Sequence, residues 1–167
     1  MWGNWLTRER QAGSATRFRF FNDTTDAPAV AGAYLLLVTL HHPLPVTLPH
    51  RPLVTLPPGR YLYAGSARGP GGLKARLARH LRTEKQPHWH IDRLTATGTA
   101  AGAWVVPGGD ECALVGALAH LPVAVAGFGS TDCRRCTSHL LHWPAGSGDV
   151  ASRLHDAEPH LLGRRPR

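Results

Sequence analysis

GRYLYAGSA (59–67), then RGPGG (68–72) and LKARLARHL (73–81), is the stretch on which the fold turns. Its first nine residues read as a strand with Tyr61 and Tyr63 on one face. The glycines from Gly69 to Gly72 end it, and Leu73, Leu77 and Leu81, spaced by four, predict an amphipathic helix over 72–83. Upstream, AGAYLLLVTL (31–40) is a short apolar run after a glycine and reads as a well-buried strand. VTLPH (46–50) and VTLPP (54–58) carry prolines that bar a central place in a sheet, so they predict an edge strand or a loop-and-strand unit. Downstream, PHWHIDRLTA (87–96) predicts a shorter helix with Pro87 near its start, and AGAWVV (101–106) a third strand. Asp110 is a candidate N-cap for a helix over 111–121 with Leu114, Val115, Leu118 and Leu121 as its stripe. VAVAGFG (123–129) and SHLLHW (138–143) are short extended candidates around the Cys133–Cys136 turn. The sum is one small mixed α/β unit over 30–144, with an irregular arm (1–29) before it and a basic, Gly-containing tail (145–167) expected to lie outside the fold.

A chain of 167 residues suits one domain with tails. Its 19 Lys and Arg, of which 17 are Arg, exceed 11 acidic residues and give a net charge of +8, a balance that suits phosphate and nucleic acid. A biased genome composition would enrich Arg equally. The longest apolar run, Ala31 to Leu40, is half the ~20 residues of a membrane span, and no secretory signal opens the chain, so a cytoplasmic protein with no membrane partner is expected. Three cysteines, an odd number, favour thiols or metal ligands over a disulfide framework.

The densest chemistry lies at the second strand and the following helix: Tyr61, Tyr63, Gly65, Ser66, Lys74, Arg76, Arg79 and His80. Arg76 and His80 stand one turn apart beside the leucine face. If the two strands pair, Tyr34 and Tyr63 stand together above the sheet, and two phenols with an Arg and a His can grip a phosphodiester and its attacking water. Core tyrosines with satisfied hydroxyls are the plainer alternative. Glu111 continues the apolar stripe of its helix, where a carboxylate needs a partner: the helix dipole, or a hard cation such as Mg²⁺. In HWHID (88–92), His88 and Asp92 at i and i+4 suggest an acid–base or metal pair, and Trp89 a stacking platform for a base; the same residues also suit a packed Trp and a hydrogen-bonded loop. Cys112, Cys133, Cys136 and His139 are four possible zinc ligands, although only Cys133 and Cys136 form a tight pair.

Gly32-Ala33-Tyr34, Tyr63-Ala64-Gly65, Leu73 and Arg76 as L-x-x-R, His80 a turn later and Glu111 beyond it together resemble the GIY-YIG nuclease superfamily. YLYAGSA, GGLKARLARHL, HWHID, EC and GFGSTDC…SHL look like its uncharacterised branch, domain of unknown function 123, over about 31–143. Both tripeptides depart at the middle residue, where Ala33 and Ala64 replace Ile. The resemblance implies an α+β module, a small antiparallel sheet of about three central strands flanked by helices, that cuts phosphodiesters with one divalent metal. It implies further that Tyr34 helps to activate the water, Tyr63 orients the phosphate, Arg76 stabilises its charge and Glu111 holds Mg²⁺ or Mn²⁺, with His80 at a position often filled by His or Tyr.

The expected function is therefore a metal-dependent endonuclease-like hydrolase of nucleic acid, DNA before RNA, with a place in DNA repair beside a repair enzyme. Gly65, Ser66, Lys74, Arg79, His88, Trp89, His90 and Asp92 are its expected substrate-binding residues. Two alternatives stand beside it: an inactive nucleic-acid-binding module of the same fold, and a zinc-stabilised structural domain.

Overall fold

The computed structural model describes residues 18–162. Its frame is a five-stranded sheet of β1 (Arg19–Phe21), β2 (Gly32–Leu40), β5 (Gly59–Ala67), β6 (Thr99–Pro107) and β7 (Leu140–His142), in the order β1-β6-β2-β5-β7 with every pair antiparallel. β3 (Leu44–Val46) and β4 (Val54–Leu56) form a separate antiparallel pair, so the Pro-punctuated segment stays off the main sheet.

Both faces of β2 are buried, which is why it reads as an unbroken apolar run. Tyr34, Leu36, Val38 and Leu40 pack with Leu73 and Leu77 of α1 (Gly72–Leu81) and Ile91 and Leu94 of α2 (His90–Thr97). Ala33 and Leu35 face the other way. They join Leu114 of α3 (Glu111–Ala117), Val150 and Leu154 of α4 (Val150–Asp156) and Leu161 of α5 (Glu158–Leu161). The sheet is thus a middle layer between two sets of helices.

This sheet is larger than the three strands expected. Residues 19–21 of the predicted arm add to β6, in register Phe20↔Trp104, with the Phe20 and Trp104 rings 4.7 Å apart and Phe18 and Phe21 buried. Residues 1–17 of that arm lie outside the described residues. At the opposite edge β7 pairs with β5. The segment 123–129 forms no strand, because Gly127 (φ 82°) and Gly129 (φ 67°) turn it back, and only a Val123–Leu141 bridge survives. α2 begins at His90 rather than beside Pro87, and α3 stops at Ala117.

Residues 150–161, read from the sequence as lying outside the fold, form α4 and α5. Asp149 caps α4 by accepting from the Ser152 N–H, and the Leu161 carbonyl accepts from the Asp110 N–H at 3.0 Å, at the entry to α3. Their signal is faint because only Val150, Leu154 and Leu161 are buried among polar neighbours. No helix among the described residues is long and apolar enough to cross a membrane.

Leu154→Ala should cost about 2–5 kcal/mol in urea unfolding, as for any fully buried leucine. A loss below ~0.5 kcal/mol, the range of ordinary surface substitutions, would place α4 outside the cooperative unit.

Candidate active site and metal cluster

The site begins with a cross-strand pair, Tyr34 opposite Gly65. A Cβ at Gly65 would overlap the Tyr34 ring and hydroxyl, so the absent side chain is what lets the phenol lie across β5. Two residues back on β5, Tyr63 stands on the same face, its ring centroid 6.4 Å from that of Tyr34. α1 supplies the third member: His80 Nε2 and the Tyr34 hydroxyl are 2.7 Å apart. Gly129, at φ 67°, brings its backbone against the Tyr63 ring from the far side. Tyr61 takes no part, since its hydroxyl donates to the Pro57 carbonyl at 2.6 Å.

Tyr34, Tyr63 and Gly129 border an open cleft of about 630 Å³ lined also by Gly65, Ser66, Arg76, Trp89 and Glu111, while His80 is buried behind Tyr34 and is not part of the lining. Burial raises the Tyr34 phenol well above its ordinary value, with Tyr63 adding to the rise, and pushes Tyr63 up to about 12. Burial, then the charge of Lys85, lowers His80 to about 3. At neutral pH the trio is therefore uncharged: two phenols and a neutral imidazole. His80 Nδ1 has no partner.

Glu111 enters from the first turn of α3, at the end of β6. Its Oε2 is buried with no hydrogen-bond donor; the nearest cation, Arg68, stands 3.9 Å away, an ion pair without a hydrogen bond. An orphaned carboxylate oxygen on a cleft wall fits a hard divalent cation, which often takes one or two carboxylates and completes its shell with water and phosphate.

The HWHID segment is a strut rather than an acid–base pair. Asp92 is fully buried, and its Oδ2 accepts from the backbone N–H groups of His88 (2.8 Å) and Trp89 (2.9 Å) and from Arg79 Nη2 (2.7 Å). Burial acts to raise this carboxyl, but those hydrogen bonds together hold it below its ordinary value. Arg79 is thereby committed to Asp92 and to the Gln86 carbonyl at 3.0 Å. Both Arg76 (4.2 Å from the ring centroid) and Arg79 (4.5 Å) stand over the Trp89 ring.

Of the expected substrate-binding residues, Gly65, Ser66 and Trp89 line the cleft. Lys74 reaches instead towards the Thr25 carbonyl at 3.5 Å, and His90 packs on Phe128 with ring centroids 5.6 Å apart. His88 precedes α2, so it shares no helical face with Asp92 and offers Asp92 only its N–H. Sequence reasoning missed Arg134 and Arg135, which line the cleft, and Arg68 beside Glu111. Two adjacent arginines between Cys133 and Cys136 were the available signal.

Next to Glu111, Cys112 meets Cys133, Cys136 and His139: the four ligand atoms lie within 4.8 Å of one another and could hold a metal. Cys112 Sγ is 3.4 Å from Cys133 Sγ and 3.9 Å from His139 Nε2. All three cysteines are free.

A family model, Domain of unknown function DUF123, matches residues 33–159, from the start of β2 into α5. The chain belongs to that family. The DUF123 match contains Tyr34, Tyr63, Arg76, His80, Glu111 and the whole Cys3His cluster, and it takes in α4. No curated protein and no solved structure matches the chain.

The neutral His80 carries a pH signature. Between pH 6.5 and about 3 an unfolded chain protonates this imidazole while the folded one refuses the proton. Stability should therefore fall as pH drops through that window, by up to ~1.4 kcal/mol per pH unit for one proton. Urea midpoints of His80→Gln should lack that component, and equal slopes in both proteins would put the imidazole in water.

Proposed function

We propose that the protein is a GIY-YIG-like phosphodiester hydrolase acting on nucleic acid, DNA before RNA, with Mg²⁺ or Mn²⁺ on Glu111. One observation carries the reading: Tyr34, Tyr63, Arg76 and Glu111 line a single open cleft, and Glu111 Oε2 is buried without a donor.

Arg76 is the cation left for substrate on α1. Its guanidinium carbon stands over the Trp89 ring at 4.2 Å, and a guanidinium edge can donate to two phosphate oxygens. The uncharged phenols act as hydrogen-bond donors rather than as bases. A hydrogen on His80 Nε2 would donate to the Tyr34 oxygen and leave the Tyr34 proton free to point at a phosphate oxygen or at the attacking water. The same tautomer makes the unpartnered Nδ1 a bare lone pair instead of a buried donor. Tyr63, beside Tyr34, holds a second phosphate oxygen in this reading. A divalent cation, when bound, supplies the charge that acidifies water at neutral pH and screens the phosphate. Arg134 and Arg135 extend the basic wall along which a polyanion would run. A DNA repair enzyme is the partner this reading expects.

Purified protein with Mg²⁺ or Mn²⁺ should nick DNA. Arg76→Ala and Glu111→Gln should each lower the rate by about 10²–10³-fold, the usual cost of one electrostatic contact to the transition state, with circular dichroism unchanged. Cleavage by both variants at the wild-type rate would overturn the proposal. So would salt-dependent binding with no turnover in either metal, the behaviour of an inactive binding module.

A further inference from the structure

We infer that the protein carries a structural Zn²⁺ held by Cys112, Cys133, Cys136 and His139, and that this ion fastens the loop forming one wall of the cleft to the first turn of α3.

Every cysteine of the 167-residue chain converges on this point, together with a buried histidine. Around a tetrahedral Zn²⁺ with bonds of about 2.3 Å to sulfur, donor atoms stand ~3.8 Å apart. The observed 3.4 Å between Cys112 and Cys133 sulfurs and 3.9 Å from Cys112 Sγ to His139 Nε2 bracket that edge. Thiolates and an imidazole are soft donors that discriminate against Mg²⁺, and four protein ligands close the coordination sphere, the mark of a structural rather than a catalytic zinc.

The surroundings suit such an ion. The Arg135 N–H points at Cys133 Sγ from 3.3 Å, a hydrogen bond that offsets thiolate charge. His139 is fixed through its backbone: its N–H donates to the Phe128 carbonyl at 2.8 Å, and its carbonyl accepts from the Ala64 N–H of β5 at 2.9 Å. Between Gly127 and His139 the chain has no helix or strand. The Gly127 N–H donating to the Thr137 carbonyl (2.7 Å) and the His139 N–H donating to the Phe128 carbonyl close the base of this loop, and its tip is bonded within itself by the Cys133 N–H donating to the Ser130 carbonyl (3.0 Å). That loop supplies Asp132, Arg134 and Arg135 to the cleft. Apart from the ligand cluster, an Arg135–Asp110 ion pair at 3.5 Å, with Arg135 mostly exposed, ties it to the α3 entry. An ion bonded to Cys112 on one side and to Cys133, Cys136 and His139 on the other would make loop and helix one body, with Glu111 adjacent to the joint.

This assignment stands apart from the hydrolysis reading, because its own test reads metal content and not cleavage. Untagged full-length protein from zinc-supplemented culture should contain about one zinc per chain by elemental analysis. The reduced, metal-stripped chain should take up Co²⁺ with the intense visible bands and thiolate charge-transfer absorption of tetrahedral cobalt. Cys133→Ser and Cys136→Ser should weaken Zn²⁺ binding by ~100-fold or more. Chelation should speed amide exchange over 127–139 while β2 and β5 stay protected. The wild-type cobalt spectrum decides the matter even if a variant fails to fold. Substoichiometric zinc together with a pale octahedral cobalt spectrum would overturn the assignment, as would a Cys112–Cys133 disulfide in protein purified without air.

Discussion

The pairing of Tyr34 with Gly65 fixes more of this molecule than any other contact. β2 is hydrogen-bonded on both sides, to β5 and β6, and both of its faces are buried. Strand side chains alternate, so a one-residue slip would turn Tyr34 from α1 towards α3 and exchange every buried set. The observed register lays the Tyr34 phenol over Gly65, a residue with no side chain. That register then sets the reach from Tyr34 to His80 and the distance from Tyr34 to Tyr63. A hydrophobic pattern alone would tolerate Leu or Val at either place; the steric fit of ring to glycine would not.

Asp92 imposes the second constraint. One buried carboxylate oxygen gathers two backbone N–H groups and Arg79, and so locks the start of α2 to α1. The basic helix thereby divides its cations by role. Arg79 neutralises a buried charge, and Lys85 closes the C-terminal end of α1 by donating to the Arg79 and His80 carbonyls, both at 3.1 Å. Arg76 lies over Trp89 and faces the cleft. A global charge of +8 therefore says little about where a phosphate would sit. The partition among ion pair, cap and open cleft says much more.

The central elements were legible because their patterns are local. Nine apolar or small residues with both faces buried announce β2, and Leu73 and Leu77 at helical spacing announce α1 beside the tyrosine strand. What escaped depends on contacts between distant residues. β1 is three residues long and is held by Phe20 against Trp104, 84 positions away. Cys112 was a candidate ligand by residue type, but it lies 21 residues before Cys133, and only the fold closes that separation to 3.4 Å between sulfurs. The inward turn of Asp92 depends on Arg79, on another helix, and helical periodicity assigned it instead to a face shared with His88. Glu111 fared better, since a carboxylate on an apolar stripe is a local anomaly, and its Oε2 is indeed buried without a donor.

The central claim is that Glu111 presents a cation to the ring-and-guanidinium cleft built on the β2–β5 register. Paramagnetic broadening by Mn²⁺ in backbone amide spectra of the zinc-loaded protein tests it most directly, because it locates the ion without requiring turnover. The account predicts broadening centred on Gly65, Ser66 and Glu111, sparing the far end of β2 near Leu40 and vanishing in Glu111→Gln. Broadening that persists in that variant, or that centres away from the cleft, would contradict it.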